Sequence, residues 1–201
     1  KQLELQAAAR YDRYSDFGST FNPKLGFRFT ATPELVLRGS ATTGFRAPSL
    51  DDVFGPQQVT FTANPYNDPV LCPNGVPTAN AVESRDCDQQ AQAKVGGNAN
   101  LKPEKSKSFS LGTAFQPAKN LLFTVDYWNV SLNSKIGPFP EQTVFADPTK
   151  YADRFVRCGQ VSAAEAANLS RCDLAGSNAI AYITTLTDNL GNVRTDGLDF
   201  T

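Results

Sequence analysis

The 201-residue chain contains no histidine, and its formal net charge is only −1. Each scarcity excludes a class of function. Without histidine there is no Ser-His-Asp or Cys-His arrangement for nucleophilic catalysis. No G-x-S-x-G, P-loop or H-E-x-x-H run is present either, so no enzyme is expected. Four cysteines occur, none of them in a C-x-x-C pair, so zinc-ligand spacing is missing. The acidic and amide run 188–192 lacks the ligand order of a calcium loop and reads as a turn. Asp51-Asp52 reads as a solvated pair of carboxylates. Neither metal nor cofactor is expected. A near-neutral chain carries no electrostatic footprint for nucleic acid. No apolar run reaches the roughly 18 residues of a transmembrane helix. That absence leaves strands open: a membrane-spanning strand needs only about 9–11 residues, and every second one faces away from lipid.

What the sequence does have is period two. Leu3, Leu5, Ala7, Ala9 and Tyr11 alternate with Glu4, Gln6, Ala8, Arg10 and Asp12. Phe21, Leu25, Phe27 and Phe29 do so next, then Leu35, Leu37, Ala41 and Phe45. Phe109, Leu111, Thr113 and Phe115 form a fourth set, and Leu121, Phe123, Val125 and Tyr127 open a fifth. Alternation over such lengths predicts strands with one apolar and one polar face. The fifth set changes phase after Trp128, where an extra residue, a β-bulge, would restore register. A sixth, more polar strand is expected over about 183–200. The predicted spans are about 3–14, 21–31, 35–46, 103–116, 121–136 and 183–200.

The connections are unequal. Thr32-Pro33-Glu34 and Pro117-Ala118-Lys119-Asn120 read as tight turns. Long irregular stretches run from about 47 to 102 and from about 137 to 182. Short turns on one side and long loops on the other are the rhythm of an outer-membrane barrel, with the long loops outside the cell. The connection from Tyr14 to Thr20, also on the outer side, is short and breaks that rhythm. Cys72, Cys87, Cys158 and Cys172 all fall in the long stretches. Three pairings are open. The local one, Cys72 with Cys87 and Cys158 with Cys172, is favoured because each pair shares one loop, in a compartment where disulfides persist. Within the second loop, Asp147-Pro148 predicts a helix start. Ser162-Ala163-Ala164-Glu165 predicts another, as a capping box.

Four segments carry a family resemblance. Gly44-Phe45-Arg46-Ala47-Pro48-Ser49-Leu50-Asp51-Asp52-Val53-Phe54 resembles the strand exit of TonB-dependent receptors. Asn98-Ala99-Asn100-Leu101-Lys102-Pro103-Glu104-Lys105-Ser106 is similar to the point where the chain re-enters the barrel, with Ala99 in place of the usual proline. Val125-Asp126-Tyr127-Trp128-Asn129-Val130 resembles the next outgoing strand. Asp196-Gly197-Leu198-Asp199 resembles a later strand start, with Asp199 where Glu is commoner. The resemblance covers essentially the whole chain and implies that residues 1–201 are part of a single barrel domain. The implied fold is all-β: six consecutive antiparallel strands of a transmembrane barrel of about 22 strands, with two long extracellular loops carrying short helices. A plug domain, the segment that couples it to TonB, and the barrel's last strand are expected outside these residues. The implied function is TonB-coupled uptake across the outer membrane of a scarce large solute: a ferric siderophore, cobalamin or an oligosaccharide. The implied partners are outer-membrane lipid, the plug, TonB through the plug, and the solute.

Read physically, Pro48 ends sheet pairing, Leu50 to Phe54 can form one helical turn, and Arg46 and Glu104 are placed as an exposed ion pair between neighbouring strands. Glu4, Arg10, Asp12, Lys24, Arg28, Arg38 and Asp126 form the lumen-facing set, expected against the plug. Candidate ligand contacts are the loop aromatics Phe54, Phe61, Tyr66, Phe139, Phe145, Tyr151 and Phe155 with Arg154, and Arg157 adds charge nearby. The same side chains equally suit a small core inside the loops. The competing class is a soluble secreted β-sandwich or adhesin-like binding module, which shows the same alternation.

Overall fold

The computed structural model describes residues 1–15, 17–172 and 178–201. Residue 16, in the expected short connection, and residues 173–177, in the second expected long loop, lie outside the described residues. The strands are β1 (Gln2–Tyr14), β2 (Gly18–Thr32), β3 (Leu35–Arg46), β4 (Gln58–Tyr66), β5 (Gln89–Val95), β6 (Glu104–Ala118), β7 (Leu121–Asn133), β8 (Ile136–Pro138), β9 (Phe155–Arg157), β10 (Ile180–Thr184), β11 (Thr187–Asn189) and β12 (Val193–Phe200). The short helices are α1 (Leu50–Phe54), α2 (Glu83–Asp86), α3 (Glu141–Ala146) and α4 (Ala163–Ala166). Two compact units result. One comprises Lys1–Pro48, Lys102–Ile136 and Asn189–Thr201; the other comprises Ser49–Leu101 and Gly137–Asp188.

The first unit is one antiparallel sheet in the order β1-β2-β3-β6-β7-β12. Its register explains the alternation. Leu5 pairs with Phe27, Phe27 with Gly39, Gly39 with Leu111, Leu111 with Tyr127, and Tyr127 with Leu198. One residue away, Glu4, Arg28, Arg38, Gly112, Asp126 and Asp199 form a row on the other face. A slip of one residue in any pair would mix the two faces, so the pattern pins the register. Gly39 is required by close approach: a Cβ there would lie 2.5 Å from the Phe27 ring, which covers the gap between strands. Pairing shifts occur only beside the tight turns, between Thr30 and Thr32 and between Phe115 and Ala118.

The apolar face of this sheet is uncovered. Leu5 is 76% exposed, Phe21 64% and Leu25 60%. Nearly all the buried apolar side chains belong to the second unit instead; Ile136 is the exception. A soluble sheet of this size hides its apolar side, whereas a barrel wall turns it to lipid.

The second unit has its own core and its own sheet, in the order β4-β5-β10-β9. The central strands β5 and β10 run parallel, with Ile183 opposite Ala93 and Thr184 opposite Lys94. Because β5 comes from residues 49–101 and β10 from 137–188, the two excursions share one sheet. Ala93, Val144, Phe155, Ile180 and Ile183 form one buried cluster. Leu71, Cys158, Leu169, Ala179, Ala181 and Tyr182 form another. Cys72–Cys87 and Cys158–Cys172 are disulfide-bonded, the local pairing.

Several expectations are corrected. The long stretches contain a sheet and are not irregular loops. The sixth wall strand begins at Val193, not near 183, because Ile180–Thr184 is a central strand of the second sheet. The backbone from 189 to 192 is held by the Asn189 amide, which accepts from Lys102 N and donates to the Lys102 and Ser134 carbonyls. The bulge after Trp128 does not occur. β7 pairs without a shift with β6 from Phe123 to Asn133, and with β12 from Val125 to Leu132. Val130 and Leu132 therefore share the Trp128 face. The phase changes because the apolar band gives way there to Asn129 and Ser131, opposite Asp196 and Arg194. No helix starts at Pro148; α3 ends at Ala146, and the Asp147 side chain accepts from Lys150 N in a single turn. Ser162 does cap α4, accepting from Glu165 N. Ser49 caps α1 in the same way, with Asp52 bonding back to the Ser49 N–H.

Candidate functional site

The loop candidates separate into two groups. Six of the eight come together inside the second unit. Tyr66, at the end of β4, stacks on Phe145 of α3 with ring centres 4.0 Å apart. Phe145 meets Phe155 edge-on at 5.3 Å. Phe139 meets Tyr151 edge-on at 5.4 Å, and the Arg154 guanidinium sits 3.6 Å from the Phe139 ring centre. Arg154 also pairs with Asp188 and donates to the Thr184 carbonyl. Glu141 anchors the arrangement. Its carboxylate accepts from Ala63 N at 3.0 Å, Asn64 N at 3.3 Å and the Tyr66 hydroxyl at 3.3 Å. Burial, and then the Glu141 charge, push the Tyr66 hydroxyl above its ordinary pKa, so it stays a neutral donor. Phe54 and Phe61 stand apart from this cluster, 69% and 54% exposed.

A charged cluster braces the first disulfide. Arg157 donates to the buried Asp68, whose other oxygen accepts from Val70 N and Leu71 N. Arg85 grips Asp86 with two hydrogen bonds, and Val82 N adds a third. Burial pushes the Asp86 carboxyl up, but these donors and the Arg171 charge outweigh it and hold the group below the usual carboxylate range. A groove of about 460 Å³ opens beside this cluster, lined in part by Tyr66, Phe145, Asn67, Asn74 and Asp88. Asn74 and Asp88 have left-handed backbones, φ 55° and 49°. Asn and Asp tolerate that region best among side-chain-bearing residues. The Asn-Gly pair at 74–75 was a readable turn signal, while Asn67 and Asp88 gave none. Among the described residues there is no cluster suited to a metal ion.

On the polar face of the first unit, cross-strand ion pairs dominate. Arg28 meets Glu4 at 3.3 Å. Arg10 pairs with Asp12 on its own strand. Arg38 on β3 reaches across β6 to Asp126 on β7, with bonds of 2.9 and 2.6 Å. The residue between them in the row is Gly112, and a Cβ there would collide with the Asp126 carboxylate. Arg46 holds Glu104 through two bonds of 2.8 and 2.7 Å. Glu104 is buried and also accepts from Ile136 N at 2.6 Å, so this pair is not the exposed one expected.

Solved structures with the same fold include a ferric enterobactin receptor mutant from Pseudomonas aeruginosa in complex with enterobactin. It has 15% identity and a TM-score of 0.63, over 98% of this chain and 22% of that one. The siderophore receptor PirA from Acinetobacter baumannii is similar at 17% identity and a TM-score of 0.61, over 98% and 22%. PirA from Pseudomonas aeruginosa is similar at 18% and 0.56, over 98% and 27%. The chain thus spans about a quarter of their length. No curated protein matches it. The family described as "TonB dependent receptor-like, beta-barrel" matches residues 1–201. With its uncovered apolar face, ion-paired polar face and whole-length family match, the chain belongs to the β-barrel family of TonB-dependent receptors rather than to the sandwich class.

Proposed function

We propose that these residues are wall and outer recognition module of one barrel domain, in a receptor that takes up a ferric siderophore across the outer membrane with energy from TonB. One observation carries the reading. An apolar-faced sheet without a core of its own is joined at one end of its strands to a separately cored, disulfide-stapled unit. That is the construction of a membrane wall bearing a preformed binding module. The names of the structural neighbours support the siderophore class. No chemical step falls to the chain: it binds and guides. Phe54 and Phe61 are the proposed contacts with the solute, because they are exposed. Tyr66, Phe139, Phe145, Tyr151, Arg154 and Phe155 shape the surface from beneath. The polar face, with Arg28, Arg38 and Asp126, faces the plug, through which TonB acts.

The test uses the full receptor in cells. Uptake of a panel of ferric siderophores, cobalamin and oligosaccharides should show energy-dependent accumulation of one siderophore class. Phe54→Ala with Phe61→Ala should weaken binding about tenfold or more, the loss of two aromatic anchors. Accumulation of cobalamin or an oligosaccharide alone would replace the siderophore reading, and undiminished affinity in the double variant would remove those two residues from the site.

A further inference from the structure

We propose that the outward face of the first unit's sheet binds the phosphate groups of anionic outer-leaflet lipid through Lys105, Lys107 and Arg194. The inference rests on the membrane reading above. The residues sit at the strand ends from which the chain leaves for residues 49–101 and 137–188. Lys107 pairs with Ser131, and Ser131 with Arg194, so the three lie in one row. Lys105 is two positions further out on the same face, opposite Asn133. From the strand spacing, the Lys107 and Arg194 backbones are about 10 Å apart, and those of Lys105 and Lys107 about 7 Å. Three long side chains at that spacing can converge on one doubly charged headgroup. Arg13 adds a further cation on this face at the far edge of the sheet.

Two features select a lipid. On the same strands and face, nearer the middle, lie Phe109, Leu111, Tyr127 and Leu198. An acyl chain laid on that band puts its headgroup at the cations. The cations are also uncommitted. On the opposite face Arg10, Arg28, Arg38 and Arg46 each meet a carboxylate. Lys105, Lys107 and Arg194 are exposed and form no ion pair or side-chain hydrogen bond among the described residues. Asp196, two positions inward of Arg194, is the acid on this face of β6, β7 and β12, which leaves a net positive patch. Unpaired cations at a lipid-facing interface attract anionic headgroups, and the attraction is screened by salt.

The experiment takes the full-length receptor in detergent and offers phosphatidylglycerol, phosphatidylcholine or inorganic phosphate, with bound phosphorus and native mass as readouts. The wild type should retain phosphatidylglycerol, less so at high salt. The variant Lys105→Gln/Lys107→Gln/Arg194→Gln should retain it about a hundredfold more weakly. Lys105→Arg with Lys107→Arg keeps the charge and should bind as the wild type does, which guards against a folding defect. Equal retention by the neutral variant, or inorganic phosphate bound as tightly as lipid, overturns the proposal. A receptor that stays in aqueous buffer without detergent overturns the membrane reading itself, a separate outcome.

Discussion

At the residue scale, two positions show how neighbours set what a side chain does. Gly112 is the vacancy through which Arg38 reaches Asp126. Gly112→Val should therefore break the bridge and destabilise the wall by about 1–3 kcal/mol. Asp126→Asn, which leaves a partly exposed arginine in water, should cost about 1 kcal/mol or less. Thermal unfolding of the detergent-solubilised receptor measures both. If the valine is as mild as the asparagine, Gly112 is not the vacancy claimed. Asp86 gives a pH effect. Its folded pKa lies below the ordinary value of 3.8, because Arg85, Val82 N and Arg171 outweigh burial. A lowered folded pKa means the unfolded chain binds the proton more readily. The stabilisation is therefore present above the unfolded pKa and lost as pH falls through the folded one. Stability of the second unit should hold from neutral pH to about 4 and decline below it. Asp86→Asn should start lower and show a shallower decline in denaturant titrations between pH 6 and 3.

At the element scale, the parallel contact of β5 with β10 makes the two excursions interdependent. Ala91 and Ala93 on β5 and Ile180 to Ile183 on β10 are buried together. Replacing 137–188 by a short linker should thus expose β5 and make residues 49–101 sensitive to protease, although their own disulfide is intact. Limited proteolysis with mass mapping would show it. Continued protection of 49–101 would mean that the first excursion folds alone. The legibility of elements followed from burial. The wall strands were readable because one face is polar and the other apolar, which is what alternation reports. β10 was misassigned to the wall because a strand buried on both faces shows no alternation, as Ile180, Ala181, Tyr182 and Ile183 illustrate. Helix starts depended on a single cap. Ser162 was read correctly; at Asp147 the same signal marks a turn that follows a helix.

At the scale of the whole molecule, the apolar outer face governs where the chain can reside. Leu111 lies mid-band on that face, and its neighbour Ser110 lies on the other, bonded to Ser40. Leu111→Arg should cost about 2–4 kcal/mol in the membrane and reduce the heat-modifiable folded form on gels. Ser110→Arg faces the polar side and should be tolerated far better. Equal effects would contradict the assignment of faces. The candidate site was only partly legible at this scale. Aromatic and arginine side chains could be counted along the loops, but counting does not separate a core from a surface. Phe155 is buried and Phe61 is exposed, in runs of similar composition.

The sequence by itself determined the strand faces, the tight turns, the local cysteine pairs and the family, since each depends on neighbours a few residues apart or on a contiguous motif. Tertiary structure decided what depends on distant partners. It made one cored sheet of two excursions 44 residues apart at their strands' nearest ends, Val95 and Phe139. It also placed Arg38 against Asp126 across a glycine, and left Lys105, Lys107 and Arg194 without partners. The outer-membrane wall first suggested by alternation is therefore also a support for a stapled module, and its outward cations mark where lipid headgroups meet it.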